Sequence, residues 1–313
     1  MYSTKGLYWF LIYVLIRMGI KCSYCTLKPV YIHNHNRYCK NHFIRYFEKK
    51  VLHTIKKYNL IGKKDRVVVA CSGGKDSTAT LFVLNKYFKN VQVIAIDEGI
   101  KGYRSKTLAD LQGYCEKNSI KLNIYSFKEE FGFHLDRIKD QRRICMHCGV
   151  LRRYLLNKKS KGFDKLVTGH NLDDEAQSIL MNLFKTNINS LIRLGPVSGV
   201  ARDPKFVPRV KPLYLCSEKE SFVYSHLKQF GVRYIECPYA SSSFRAVVRD
   251  SLNNYEQIHP GSKMQLVENF LWLLPKLKRE YSKHGSIGYC SVCGEPSTTE
   301  VCNACSIVNK FIH

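Results

Sequence analysis

The chain has 313 residues, 45% of them apolar, and carries 50 lysines and arginines against 25 aspartates and glutamates, a net charge of +25. That apolar content excludes global disorder and is enough for one large domain with appendages. The cationic excess either solubilises the surface or meets a polyanion, and nucleic acid is the better match.

Residues 7–16, LYWFLIYVLI, form a ten-residue apolar run behind Lys5. No small-residue cleavage site follows, and a bilayer span needs about 20 residues. Residues 1–17 are read as an extension outside the folded protein, with translation able to start at Met18. The alternative is a membrane-surface anchor; no membrane span is expected.

Residues 18–45 hold the first metal pattern. The stretch CSYCTLKPVYIHNHNRYCKNH spaces Cys22, Cys25, Cys39 and His42 as C-x2-C-x13-C-x2-H. Two close pairs of thiol and imidazole ligands suit tetrahedral Zn²⁺. His33 and His35 compete for the fourth place.

Residues 46–285 alternate in type. Short β-rich runs at 66–71, 91–96, 121–127 and 165–169 are separated by helical stretches at 75–89, 105–118, 148–159 and 173–185. This is the rhythm of an α/β, doubly wound parallel sheet. A further strand is expected near 207–214, and 218–283 reads as mainly helical.

Within the rhythm, the first strand runs into Ser72-Gly73-Gly74-Lys75-Asp76-Ser77 and then a helix. Glycines let backbone N–H groups approach an anion, the helix start adds partial positive charge, and Ser72 and Ser77 offer hydroxyls. The spacing is not that of a Walker A loop. VTGHNLDDEAQ (167–177) places Gly169, His170, Asp173 and Asp174 at another strand-to-helix junction. The two aspartates either bring Mg²⁺ to phosphates or simply favour the helix start. Asp97 closes a strand, where a parallel sheet places ligand contacts. His170 is either a nucleotide contact or a structural histidine.

Residues 286–313 contain CSVCGEPSTTEVCNAC, which spaces Cys290, Cys293, Cys302 and Cys305 as C-x2-C-x8-C-x2-C, a zinc-ribbon pattern. The thirteen cysteines of the chain fall largely in C-x-x-C pairs. That is chelate rather than disulfide geometry and fits a reducing cytoplasm. Cys71, Cys115 and Cys216 fit no pattern and are expected to be buried apolar thiols.

SGGKDS resembles the loop of the PP-loop ATP pyrophosphatases, which cleave ATP between the α- and β-phosphates, and GHNLDD resembles their second motif. RRICMHCGVLRRYLL (142–156) and the distant IECPYA (235–240) resemble the tRNA-thiolating TtcA/TtuA family within that group. ECPYA followed by HPGSK is closer to the T-loop branch than to the wobble-uridine branch. The resemblance implies that Cys145, Cys148 and Cys237 hold a [4Fe-4S] cluster with one iron free of protein ligands. A persulfide-carrying cysteine pair and a thioredoxin-like dithiol are the rivals.

The resemblance further implies that Ser72–Ser77, Asp97, Gly169, His170, Asp173 and Asp174 serve ATP and Mg²⁺, with Lys75 and Asp76 catalytic beside the three cysteines. The expected reaction is adenylation of a uridine C2 carbonyl in tRNA, then sulfur transfer giving 2-thiouridine. A ubiquitin-like thiocarboxylate protein or sulfide would donate the sulfur, and relatives are homodimers. Arg142, Arg143, Arg152, Arg153, Lys205, Arg209, Lys211, Arg245 and Arg249, interleaved with aromatic residues, are expected to contact RNA phosphates, with His147 second to the cluster or exposed. A PP-loop ligase acting on a small molecule and a zinc-finger RNA-binding protein with a decayed nucleotide site remain as alternatives.

Overall fold

The computed structural model describes residues 20–199, 205–241, 243–282 and 287–312. The expected extension at 1–17 and the Met18 start lie outside them. The described chain opens with a hairpin, β1 (Tyr31–His33) paired antiparallel with β2 (Asn36–Tyr38). Asn34 and His35 both have positive φ, 45° and 64°, as a two-residue hairpin turn with right-handed twist requires. Helix α1 (Lys40–Lys57) follows Cys39 directly.

The sheet then forms in the expected order. β3 (Val67–Ala70) leads to α2 (Lys75–Tyr87), β4 (Val91–Asp97) to α3 (Arg104–Lys117), and β5 (Leu122–Ser126) to α4 (Phe127–Phe131) and α5 (Gln141–Lys159). β6 (Lys165–Thr168) leads to α6 (Leu172–Phe184) and α7 (Ile188–Leu191), and β7 (Val197–Ser198) and β8 (Arg209–Val210) complete the sheet. The strand order is β5-β4-β3-β6-β8-β7, parallel except for β7. Three helices follow: α8 (Glu218–Lys228), α9 (Phe244–Ile258) and α10 (Ser262–Tyr281). The C-terminal segment has β9 (Gly288–Tyr289), β10 (Pro296–Ser297) and α11 (Asn303–Ile312). The expected α/β parallel architecture is therefore observed.

Three differences from the sequence reading have local causes. Helix α5 begins at Gln141, seven residues before the expected start, so Cys145 and Cys148 lie inside a helix. Asp140, a residue type favoured just ahead of a helix, was the available signal. The strand expected over 207–214 is reduced to Arg209–Val210. Pro208 and Pro212 flank it and cannot donate to a ladder. The helical region 218–283 is interrupted over 229–243, where Cys237 sits.

Val67, Val68 and Val69 of the central strand are all fully buried. The strand period of two sends Val67 and Val69 to one face and Val68 to the other. The first face packs with α1, α2, α3 and α8 through Phe43, Phe47, Leu81, Leu111 and Tyr224. The second packs with α5 through Leu151 and Leu155, and the same cluster takes in Cys290, Cys302 and Ile307. The C-terminal segment thus shares the core beneath the cysteine helix.

Glu48 of α1 is buried at the first face. It accepts hydrogen bonds from Lys86 Nζ (2.6 Å), Tyr87 OH (2.7 Å) and Tyr224 OH (2.8 Å). Burial opposes its charge, but these donors outweigh burial and lower its pKa. A lowered folded-state pKa stabilises the fold above the unfolded value, about 4.3, and this contribution is lost as pH falls through the folded value. Glu48→Gln should therefore cost roughly 1.5–3 kcal/mol at pH 7. The difference from the parent should shrink below about pH 4. Urea unfolding at both pH values measures it, and an equal difference at both would refute the assignment.

Candidate active site

The loop after β3 is held from behind. Arg104 is 3% exposed; it donates from Nη1 to the Ser72 carbonyl (2.6 Å) and from Nε to that of Ile96 (2.8 Å), and its Nε lies 2.9 Å from Glu98 Oε2. Gly73 has φ +78°, and a Cβ there would stand 2.1 Å from the Thr107 carbonyl oxygen. Ser72 N–H donates to Ser77 Oγ (3.2 Å), which donates to the Gly74 carbonyl (3.0 Å). Gly74 caps α2 without a side-chain hydrogen bond, leaving the first-turn N–H groups to meet an anion.

The second motif is pressed against this turn. A Cβ on Gly169 would stand 2.7 Å from Ser77 N and 2.8 Å from Ser77 Cα. Asn171 caps α6 in a reciprocal box: its Oδ1 accepts from Asp174 N–H (3.0 Å) and its own N–H donates to Asp174 Oδ2 (3.1 Å). Its Nδ2 donates to Asp76 Oδ1 (3.1 Å), fixing one motif on the other.

Asp76, Asn171, Asp174, Gln177, Glu218 and Arg245 line a cavity of about 190 Å³ with the 240–249 segment. Burial and the Asp76 carboxylate push Asp174 up to about 7. Two carboxylates facing one cavity could hold a cation. Lys75 Nζ lies 2.9 Å from both Asp76 Oδ2 and Glu218 Oε1. Burial works against its charge, but these acids outweigh burial and raise its pKa.

The other expected residues of this site divide. Asp173 does not line the cavity: its carboxylate accepts from Lys263 Nζ and from Glu218 N–H (2.7 Å). Asp97 accepts from Gly99 N–H (2.9 Å), holding the turn after β4. His170 is exposed, with Nδ1 2.9 Å from Thr168 Oγ1. Desolvation and the cations of Lys211, Arg152, Arg209 and Arg245 hold its pKa well below the ordinary value.

Helix α5 sets Cys145 and Cys148 one turn apart on one face. Cys237 arrives from the irregular 229–243 stretch. Cys145 Sγ donates to the Tyr239 carbonyl (3.4 Å). Burial pushes Cys148 up to about 12, against the Arg152 guanidinium beside it, and the Cys237 and Cys145 thiols face it. Burial also raises Cys145 and Cys237, and Arg152 lowers both. Three thiols gathered round one cation fit a polynuclear cluster, which holds its thiolates wider apart than a single ion does. The remaining cysteines outside the metal patterns, Cys71, Cys115 and Cys216, are buried, as expected. His147 corrects the sequence reading: it is buried on the side of α5 that meets the C-terminal helix, its ring 5.7 Å from that of Phe311.

The compact ligand groups lie elsewhere. Among the described residues, the ligand atoms of Cys22, Cys25, Cys39 and His42 lie within 4.8 Å of one another, as do those of Cys290, Cys293, Cys302 and Cys305. His33 and His35 are in neither group. Burial opposes ionisation of Cys22 and Cys290, but backbone N–H groups aimed at each sulfur bring both down to about 6.

Of the expected RNA-contacting cations, Lys211 is a correction. It is 4% exposed and donates to Glu175 Oε1 (2.6 Å), itself buried. Arg249 pairs with Asp250 (2.9 Å) and Arg143 with Asp140 (3.6 Å) at the surface, and Lys205 is exposed over the Tyr289 ring. The side chain of Arg142 lies outside the described residues. Glu218, Lys263, Arg104 and Glu98 were not foreseen. Only Asn171 carried a readable signal, a capping residue three positions before Asp174.

The sequence pattern of the PP-loop domain matches residues 44–256. A tRNA-5-methyluridine(54) 2-sulfurtransferase of Pyrococcus horikoshii is 37% identical over 292 residues, covering 91% of this chain and 93% of that protein. The tRNA 2-thiolation protein NcsA of Haloferax volcanii is 32% identical, covering 87% and 92%. Among solved structures, the U34-tRNA thiolase NcsA of Methanococcus maripaludis, with its [4Fe-4S] cluster, superposes with a TM-score of 0.79 at 36% identity, covering 93% of this chain and 96% of that one. The chain belongs to the PP-loop family, in the TtcA/TtuA branch to which its cysteine arrangement points.

Proposed function

We propose that the protein is a tRNA 2-thiolation enzyme that adenylates a uridine C2 carbonyl with ATP and replaces the oxygen by sulfur. The observation that carries the reading is the segment 237–245. At one end Cys237 and the Tyr239 carbonyl meet Cys145 and Cys148. At the other, Ala240, Ser243 and Arg245 line the cavity over Asp76 and Asp174. One short stretch thus joins the ATP loop to the three thiols.

The first-turn N–H groups of α2 and the Lys75 ammonium stabilise the pyrophosphate that departs as uracil O2 attacks the α-phosphorus. Asp76 and Asp174 would hold Mg²⁺, which would offset phosphate charge, and Asn171 orients Asp76. Cys145, Cys148 and Cys237 hold the cluster, which supplies sulfide for the substitution at C2 when bound. Arg152 favours the thiolate forms that such a group needs. AMP leaves with the original oxygen. Zn²⁺ at the two compact groups supports the modules at either end. A sulfide or thiocarboxylate donor, a homodimer and a cytoplasmic setting belong to the same reading.

The T-loop uridine is the preferred target, supported by the Pyrococcus relative and by the ECPYA and HPGSK stretches. The solved U34 thiolase supports the wobble position as the second reading. Anaerobic reconstitution with iron and sulfide, followed by tRNA, ATP and Mg²⁺, tests both. Mass spectrometry of digested tRNA should find an oxygen-to-sulfur exchange in the T-loop fragment. Exchange in the anticodon fragment moves the target to the wobble uridine; no exchange with tRNA-independent ATP cleavage refutes thiolation.

Asp76→Ala should lower pyrophosphate release by about 10²-fold or more. Unchanged release would remove Asp76 from the phosphate site. Binding of tRNA should weaken with salt at a log–log slope of roughly −0.7 to −0.9 per phosphate neutralised. Affinity independent of salt would remove the phosphate contacts.

A further inference from the structure

Helix α5 carries Arg152 and Arg153 beyond the cysteines, and Arg209 on strand β8 stands in register with Leu166, whose face of the sheet packs with Leu151 and Leu155 of that helix. Arg152 and Arg153 follow Cys148 by one turn, and Arg209 stands on β8, the neighbour of the strand that ends at Thr168 before His170. Arg153 folds back along its helix: its Nη1 lies 3.1 Å from where a Cβ on Gly149 would stand, so glycine at 149 leaves it room beside Cys148.

Three positive charges so placed repel one another. Burial and then the Arg153 and Arg152 charges push Arg209 down to about 10; Arg153, exposed at the surface, is lowered by local desolvation and then by Arg152. Glu98 lies 3.4 Å from Arg152 Nη1 and is shared with Arg104. Among the described residues, the side chain of neither Arg153 nor Arg209 has an ion pair or a hydrogen bond, and Arg209 Nε is shut off from solvent with no acceptor. A buried guanidinium N–H without an acceptor is costly. Positive groups held together against their repulsion are the arrangement of an anion site. The loop of residues 72–77 has its own cation in Lys75, which lies between Asp76 and Glu218.

We infer that Arg152, Arg153 and Arg209 bind one phosphate group of the substrate RNA beside Cys148, at a site separate from the loop of residues 72–77. The inference rests on the tRNA reading and deepens it. A phosphodiester gripped here anchors the acceptor strand at the thiols, so the base attached to it is presented to both the cysteines and the ATP cavity. Arg152 serves both sides: it faces the thiols of Cys145, Cys148 and Cys237, and it completes the anion site.

The test compares the full-length protein with its Arg153→Gln/Arg209→Gln variant. Binding of an unmodified tRNA transcript and of ATP is followed separately by fluorescence anisotropy. Lys63→Gln/Lys64→Gln is the control; it removes the same charge from exposed residues in the turn ahead of β3. The expected result is a tenfold or greater loss of tRNA affinity in the arginine variant. Its salt slope should fall by roughly 0.7–0.9, with ATP affinity and thermal stability unchanged. The control should lose much less.

Weakened ATP binding with unchanged tRNA binding would overturn the inference in favour of a nucleotide phosphate. Equal losses in variant and control would overturn it in favour of a general field, and no loss in either would remove the site. If the arginine variant unfolds, Arg209→Lys decides: it keeps the charge but loses the fork and should retain only part of the affinity, whereas full affinity overturns the inference. A parent protein that does not bind tRNA defeats the functional reading itself, whereas binding by the parent that the variant retains defeats this inference alone.

Discussion

A buried guanidinium sets the frame for the rest of the site. Arg104 is almost without solvent contact; its donors reach the Ser72 carbonyl of the 72–77 loop and the Ile96 carbonyl of β4, and its guanidinium is ion-paired with the Glu98 carboxylate. Glu98 in turn lies against Arg152 on the cysteine helix. A charge pair in this position is costly to desolvate and costly to break on one side, which makes its geometry hard to vary. The loop, the strand end and the thiol-bearing helix therefore share one reference point. Neither the loop nor the cysteines can shift alone without leaving part of the network unpaired.

Close backbone approach does the same work on the other side of the loop. The end of β6 and the start of α2 meet where only a glycine at 169 fits, and Asn171 then reaches across to Asp76. The cavity is thus assembled from two strand-to-helix turns with no slack between them, closed by the 240–249 segment. That segment has no regular structure until Phe244. Its course is fixed at one end by the Cys145–Tyr239 contact and at the other by Arg245, which donates to Gln177 and Ser178 on α6.

What could be read in advance was what is encoded locally. SGGKDS, GHNLDD and the paired cysteines announce their chemistry through spacing within one turn or one loop, and the parallel sheet follows from the alternation of strand and helix. The extent of α5 was misjudged because a C-x-x-C looks like a loop when its helical neighbours are ignored. The division between Asp173 and Asp174 was invisible, because it depends on Lys263 and on Glu218 N–H, far along the chain. Lys211 looked like a surface cation until Glu175 was found beside it. Glu98 and Arg104 gave no local signal either. Long-range pairing of charged groups is the part of the design that one-dimensional spacing does not carry.

The C-terminal four-cysteine segment packs on the helix that carries Cys145 and Cys148; Phe311 covers His147, and Cys290 and Cys302 join the cluster of Leu151 and Leu155. During synthesis, residues 141–159 leave the ribosome well before residues 290–311. The nascent cysteine helix must therefore wait, half clothed, with its thiols open to oxidation and to stray metals. Maturation then has an order: the distal ligand group closes, the helix settles, and only afterwards is the three-thiol site in its final shape. Under the proposed reading, loss of the distal ligand group would be felt first at the three thiols, through the core that the two share.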